Sequence, residues 1–94
     1  MNIRQDTAEG KFYINIKGQE EAYLRYELQT DPTPNIVNFN KLHIPETLEG
    51  VGIEEEMAME GIRFAEKSGF KVKAGCPFMQ GWMNRHPEFE HMRA

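Results

Sequence analysis

The sequence predicts an α/β fold, a mixed sheet with helices packed on it in the order β-β-β-α-β-α. Two alternating apolar runs early in the chain read as a hairpin. A glycine-bearing turn then separates a third strand from an amphipathic helix that stops at Gly69. A short alternating run after that helix completes a βαβ unit.

The elements follow in order. In Lys11-Phe12-Tyr13-Ile14-Asn15-Ile16 the apolar Phe12, Ile14 and Ile16 alternate with Lys11, Tyr13 and Asn15, the period-two pattern of a half-buried strand. Lys17-Gly18-Gln19-Glu20 reads as a turn. Residues 21–28 form a second strand with Ala22, Leu24, Tyr26 and Leu28 on one face, antiparallel to the first. Asp31-Pro32-Thr33-Pro34-Asn35 is a breaker, because two prolines lack amide donors. The third strand, 36–44, sets Val37, Phe39, Lys41 and His43 on one face and Ile36, Asn38, Asn40, Leu42 and Ile44 on the other. Polar groups thus occur on both sides, which suits a strand that faces a ligand. Pro45 ends it, and residues 46–52 form a loop. Ile53, Met57, Ile62 and Ala65, with Met59 beside them, mark the core stripe of a helix over 53–68, and Gly69 is placed as its left-handed cap. Residues 70–74 alternate as a strand, parallel to 36–44 through a crossover. A last helix covers 78–85 until His86-Pro87 stops it. Phe78, Met79, Trp82, Met83 and Phe89 read as its core packing.

Composition bounds the function. A chain of 94 residues is one domain's worth, taken here as residues 1–94, and 39% hydrophobic with 28% charged residues is an ordinary globular balance. A net charge of -4 offers no footprint for nucleic acid. One cysteine excludes an internal disulfide and any CxxC metal or redox motif, and no metal site is expected. No apolar run reaches the roughly 20 residues that span a bilayer, and the N-terminus lacks the apolar stretch of a secretory signal. A cytoplasmic location is the expectation, with no membrane partner.

The turn Gly50-Val51-Gly52 between strand and helix has generic anion-binding geometry. The first helical amides lack intrahelical partners, the dipole adds about half a positive charge, and glycines allow close approach. Taken alone, the glycine pair is better read as a plain tight turn. The wider segment Ile44-Pro45-Glu46-Thr47-Leu48-Glu49-Gly50-Val51-Gly52-Ile53 resembles the acetyl-CoA loop of the Gcn5-related N-acetyltransferases, V-P-x-x-x-R-G-x-G-x-A/G. Gly75-Cys76-Pro77-Phe78 and Arg85-His86-Pro87-Glu88-Phe89 are similar to the Cys-Pro-Tyr/Phe element and the C-terminal R-H-P-E-Y/F of that superfamily's small single-domain branch. The resemblance covers residues 35–89 closely. It implies two splayed parallel strands with acetyl-CoA between them, the pantetheine arm on the backbone of Leu42 and Ile44, and the pyrophosphate on the amides of Gly50, Val51, Gly52, Ile53 and Glu54. It also implies acetyl transfer to an amine, a small molecule or a protein.

The chain departs from that pattern at three places. Glu49 stands where the family has arginine, Glu54 where it has a small residue, and Lys41 where the branch tends to have histidine, with His43 two residues on. Six glutamates and no lysine or arginine lie between His43 and Gly61. Each within about 6 Å of a phosphate would cost about 1 kcal/mol, less in salt. Acidic residues also suit a first helical turn, and Glu54 is expected either to cap the amides or to compete with the ligand. Arg63, Lys67, Lys71, Lys73 and Arg85 follow against Glu66 alone, and the last three are candidates for reaching a phosphate.

Cys76, at the end of a parallel strand and the start of a helix, is a candidate thiol at the reacting centre or a small buried hydrophobe. His43 is a candidate general base and Lys41 a polar group or acetyl acceptor; a surface imidazole and a solvated amine are the plain alternatives. Phe78 is a candidate flank for the cofactor. Two readings result: an acetyl-CoA-dependent N-acetyltransferase, or a non-catalytic module of the same fold that binds a basic partner through its glutamates. Redox sensing through Cys76 is a third.

Overall fold

The computed structural model describes residues 2–29 and 35–94, so most of the expected breaker, 31–34, lies outside the described residues. The strands are β1 Arg4–Asp6, β2 Lys11–Ile14, β3 Ala22–Gln29, β4 Ile36–His43 and β5 Lys71–Ala74, and the helices are α1 Ile53–Ser68 and α2 Pro77–Arg85. They form one five-stranded sheet in the order β1-β2-β3-β4-β5. The first three pairings are antiparallel and β4 pairs β5 parallel, the mixed sheet the sequence predicts.

Several boundaries move for identifiable reasons. β2 stops at Ile14 because the carbonyl of Ile16 is taken into the following turn by the amide of Gln19, at 2.8 Å. β1 is an extra strand; three residues with no apolar alternation give no sequence signal. Past α2, Pro87–Met92 forms a 3-10 turn, and the amide of Ala94 bonds the carbonyl of Val72 on the outer edge of β5.

The third strand requires a correction. Arg25 of β3 faces Lys41, but the next residue, Tyr26, faces Phe39, so Asn40 is an extra residue on β4. Such a bulge inverts the side-chain alternation. Val37 and Phe39 share the inner face with Leu42, opposite Leu24, while Asn38, Lys41 and His43 share the outer face. The mixed parity in the sequence is this inversion, not polarity on both faces.

The inner face carries the core. Phe12, Ala22, Leu24, Tyr26, Val37, Phe39 and Val72 are buried on it beneath Ile53, Met57, Ala58, Gly61, Ile62 and Ala65 of α1. Met79, Trp82 and Met83 of α2 are buried as expected, and Phe78 and Phe89 partly so. Helix α1 spans residues 53–68 as read, and Gly69 closes it at φ 75° with its amide on Glu66. Gly61 is where helix and sheet come closest: a Cβ there would lie 2.8 Å from two ring atoms of Phe39.

That contact yields a prediction. Gly61→Ala gains about 1 kcal/mol in helix propensity but overpacks a fully buried ring, at about 1–3 kcal/mol. Urea denaturation should show a net loss of stability. In a Phe39→Leu background the same change should cost less, so a double-mutant cycle should return a favourable coupling. Equal costs in both backgrounds would show that the Phe39 contact does not limit the position.

Candidate functional site

The two parallel strands part at one hydrogen bond. The register runs Ile36 to Lys71, Val37 to Val72, Asn38 to Lys73 and Phe39 to Ala74, and closes with the amide of Gly75 on the carbonyl of Phe39 at 2.9 Å. Beyond it β4 continues to His43 while the other chain turns off at Cys76 into α2. Until the fork the odd-numbered residues of β4 point their peptide groups toward β5, as Asn35 and Phe39 do in accepting from Lys71 and Gly75. The bulge at Asn40 shifts that phase by one, so the peptide groups facing the gap are those of Leu42 and Ile44. Gly75 is required at the fork, because a Cβ there would sit 2.1 Å from Oδ1 of Asn38.

Above the open end of β4 stands the glycine turn. Glu46–Leu48 is a 3-10 turn that leads into Gly50 (φ 80°) and Gly52 (φ 86°), both left-handed, where a side chain would be strained. Gly52 is the N-cap of α1 and no side chain caps the helix. The first bond of the helix is Glu56 to the carbonyl of Gly52, at 3.3 Å. Among the described residues, none of the amides of residues 50–55 donates a hydrogen bond. Open space surrounds the Cβ positions of both glycines. Ile53 is fully buried, whereas Val51 is exposed.

The glutamates divide. Glu55 is bound to α2: its Oε2 accepts from Nε1 of Trp82 at 2.7 Å, and its Oε1 lies 3.5 Å from Arg85. Glu60 pairs with Arg63 at 2.9 Å. Glu49 and Glu56 are exposed. Glu54 does not cap the helix; it lies at helical spacing from Ala58, Gly61 and Ala65, on the sheet-facing stripe, and its Oε1 is buried without a hydrogen-bond partner.

Cys76 is the N-cap residue of α2, 6% exposed and packed in the core, with Pro77 at the first helical position. Phe78 follows in the first turn of α2, half-buried. Trp82 stacks on His86 at 3.9 Å and on Phe89 at 5.7 Å, which fixes the helix end where His86-Pro87 was expected to stop it. Of the late cations, Arg85 is taken by Glu55 and Lys71 donates to the carbonyl of His91 at 2.6 Å.

Lys41 and His43 lie on the outer face, on the part of β4 beyond the fork. Nε2 of His43 is 2.7 Å from Oε1 of Glu20, and its ring lies 5.3 Å from that of Tyr23. With Nε2–H donating to this carboxylate, Nδ1 is left as the acceptor. No hydrogen bond joins His43 or Lys41 to Cys76 among the described residues. Tyr23, Arg25 and Glu20 were not singled out in the sequence, although Tyr23 and Arg25 alternate with the buried Ala22, Leu24 and Tyr26 and so were bound to face outward. Among the described residues no cluster of three His, Cys, Asp or Glu side chains is arranged to hold a metal ion. No helix among them is long and apolar enough to cross a membrane.

Comparison with known proteins bears on this arrangement. Residues 11–92 match a family model described as GCN5-related N-acetyl-transferase. The solution structure of a GCN5-like candidate N-acetyltransferase from Staphylococcus aureus superimposes with a TM-score of 0.74 at 20% identity, covering 99% of this chain and 87% of that one. That likeness is one of fold. No curated protein sequence matches this chain.

The outer face also holds a lysine whose titration is displaced by its neighbours. Lys11 is buried, with Nζ 2.7 Å from Oε1 of Glu21 and 3.6 Å from Glu9. The hydrogen bond to Glu21 raises its pKa above 10.5, overcoming an opposite effect of burial. A raised folded pKa stabilises fully below the unfolded value and is lost as pH rises through the folded one. The stability difference between wild type and Glu21→Gln should therefore stay constant up to about pH 10 and shrink above it. Denaturant titrations across that range check this; a difference that persists in strong alkali would contradict it.

Proposed function

Since the chain belongs to the GCN5-related N-acetyltransferase family, we propose that it transfers the acetyl group of acetyl-CoA to an amine, in the cytoplasm, with the fork between β4 and β5 as its site. The observation that carries this reading is the coincidence of two open sets of backbone groups: the edge of β4 past Phe39 and the amides of residues 50–55. An extended, amide-bearing arm suits the first, and a pyrophosphate suits the second.

In this reading the peptide groups of Leu42 and Ile44 hold the pantetheine arm, and the amides of Gly50, Val51, Gly52, Ile53 and Glu54 hold the phosphates, with Glu49 at the entrance. Phe78 flanks the arm. Acetyl-CoA supplies a thioester open to attack by an amine. His43 accepts the amine's proton at Nδ1 while Glu20 balances the imidazolium formed. Cys76, at the point where the strands part, takes the acetyl group transiently or relays a proton. Lys41 serves as a polar group beside the acceptor or is itself acetylated.

A second reading has its own observation. The unpartnered Oε1 of Glu54 and the exposed Glu49 oppose a phosphate at this turn. A protein of this fold with weakened CoA binding, docking a basic partner on its glutamates, satisfies those charges instead.

Isothermal titration with acetyl-CoA separates the two. Saturable binding below millimolar concentration is expected, and its absence at that concentration would sink the first reading. Glu49→Arg with Glu54→Gly should tighten binding roughly tenfold or more, since two like-charge contacts are removed at about 1 kcal/mol each. Mass spectrometry after incubation should show the acetyl group on Cys76 or Lys41 if either accepts it. Unchanged transfer by Cys76→Ala would remove the covalent role while leaving the transferase.

A further inference from the structure

The outer face of the sheet carries a charge arrangement that its own stability does not ask for. Cross-strand register places Asp6, Lys11, Arg25 and Lys41 in one row, and Arg4, Tyr13, Tyr23 and His43 in the next. Directly opposed side chains have Cβ atoms about 4.5–5.5 Å apart, and like charges so placed repel. Three cations stand side by side in the first row. Lys11 is compensated by Glu21 and Glu9. Arg25 and Lys41 have no carboxylate partner among the described residues, yet both lean over one ring, Tyr23, at 5.1 and 6.0 Å from its centroid. Lys73, opposite Asn38 on β5, likewise has no carboxylate partner among them. A local rule broken without compensation among the described residues points to a ligand that completes it.

The position of the pair says what kind. Lys41 belongs to the stretch of β4 that has left β5, and Arg25 is one strand away, about 4.8 Å. Helix α1 covers the inner face of the sheet, and Lys41 and His43 stand on the opposite, outer face beside the fork. We propose that the acceptor is an amine that carries its own anionic group, a carboxylate or a phosphate, which Arg25 and Lys41 hold beside Tyr23 with the amino group directed toward His43. The guanidinium offers a planar pair of donors that matches either anion, and stacking on Tyr23 holds it ready. This rests on the acetyltransferase reading, from which its test is kept separable.

Two experiments decide it. In the first, the protein without acetyl-CoA is titrated with O-phosphoethanolamine, glycine, ethanolamine and glycinamide and followed by amide NMR. Shifts should cluster at Tyr23, Arg25, Lys41 and His43 for the first two and be absent for the pair that lacks an anionic group; the stronger of the first two identifies phosphate or carboxylate. In the second, acetyl transfer to the same four amines is measured. The anionic member of each pair should have a KM lower by roughly tenfold, and the gap should narrow at high salt. Arg25→Gln should close most of that gap through KM with little change for the amines without an anionic group, and Arg25→Lys should restore part of it. Equal KM within each pair, or shifts scattered away from this cluster, overturns the proposal while leaving an acetyltransferase. Loss of acetyl-CoA binding with intact clustering at Arg25 and Lys41 overturns the transferase and leaves an anion site.

Discussion

The hydrogen bond from the amide of Gly75 to the carbonyl of Phe39 sets the geometry of everything around it. It is the last bond between β4 and β5, and both partners are committed elsewhere. Phe39 is fully buried beneath Gly61, which ties the strand to α1 at the closest helix–sheet approach. Gly75 has no room for a side chain because Asn38 lies against it. The point of divergence is thus held from above by packing and from the side by steric exclusion. A gap that opens from a fixed vertex has fixed walls, and Leu42, Ile44, Cys76 and the glycine turn inherit their places from it.

How much of this was legible in the sequence depended on the length of each signal. The helix over 53–68 shows four turns of periodicity and a glycine stop, and it is found with those bounds. β1 has three residues and no apolar alternation, and it forms only because β2 offers an edge. The bulge at Asn40 was visible only as disorder in the alternation of 36–44: one inserted residue inverts the phase, and a fixed-parity reading then assigns Phe39 and Lys41 to a common face. Cys76, the glycine turn and its free amides were legible as places, whereas the unpartnered Glu54 oxygen was not. It depends on where a side chain points, which spacing does not give. Glu54 was expected either to cap the helix or to compete with the ligand; the cap is absent.

Net charge concealed a second property. The chain carries -4 overall, but charges of each sign cluster locally. Glu54, Glu55, Glu56, Glu60 and Glu66 all ride on α1, and Arg4, Lys11, Arg25, Lys41, Lys71 and Lys73 stand on the outer face of the sheet. A helix tolerates acids near its start because they meet its dipole. A sheet face has no such dipole, so the cations there rely on partners, which Lys11 has in Glu21 and which Arg25 and Lys41 lack among the described residues.

The 93–94 segment gives the architecture a further consequence. By pairing with Val72 it covers the outer margin of β5, and at the other side β1 is a three-residue strand with two charged residues. Both lateral margins of the sheet are therefore poor templates for another chain, which is how soluble sheets avoid stacking into aggregates. The exposed template lies instead within the sheet, along β4 past the fork, flanked by helix and loop. An unpaired stretch in that position has the backbone geometry by which an extended segment adds to a sheet.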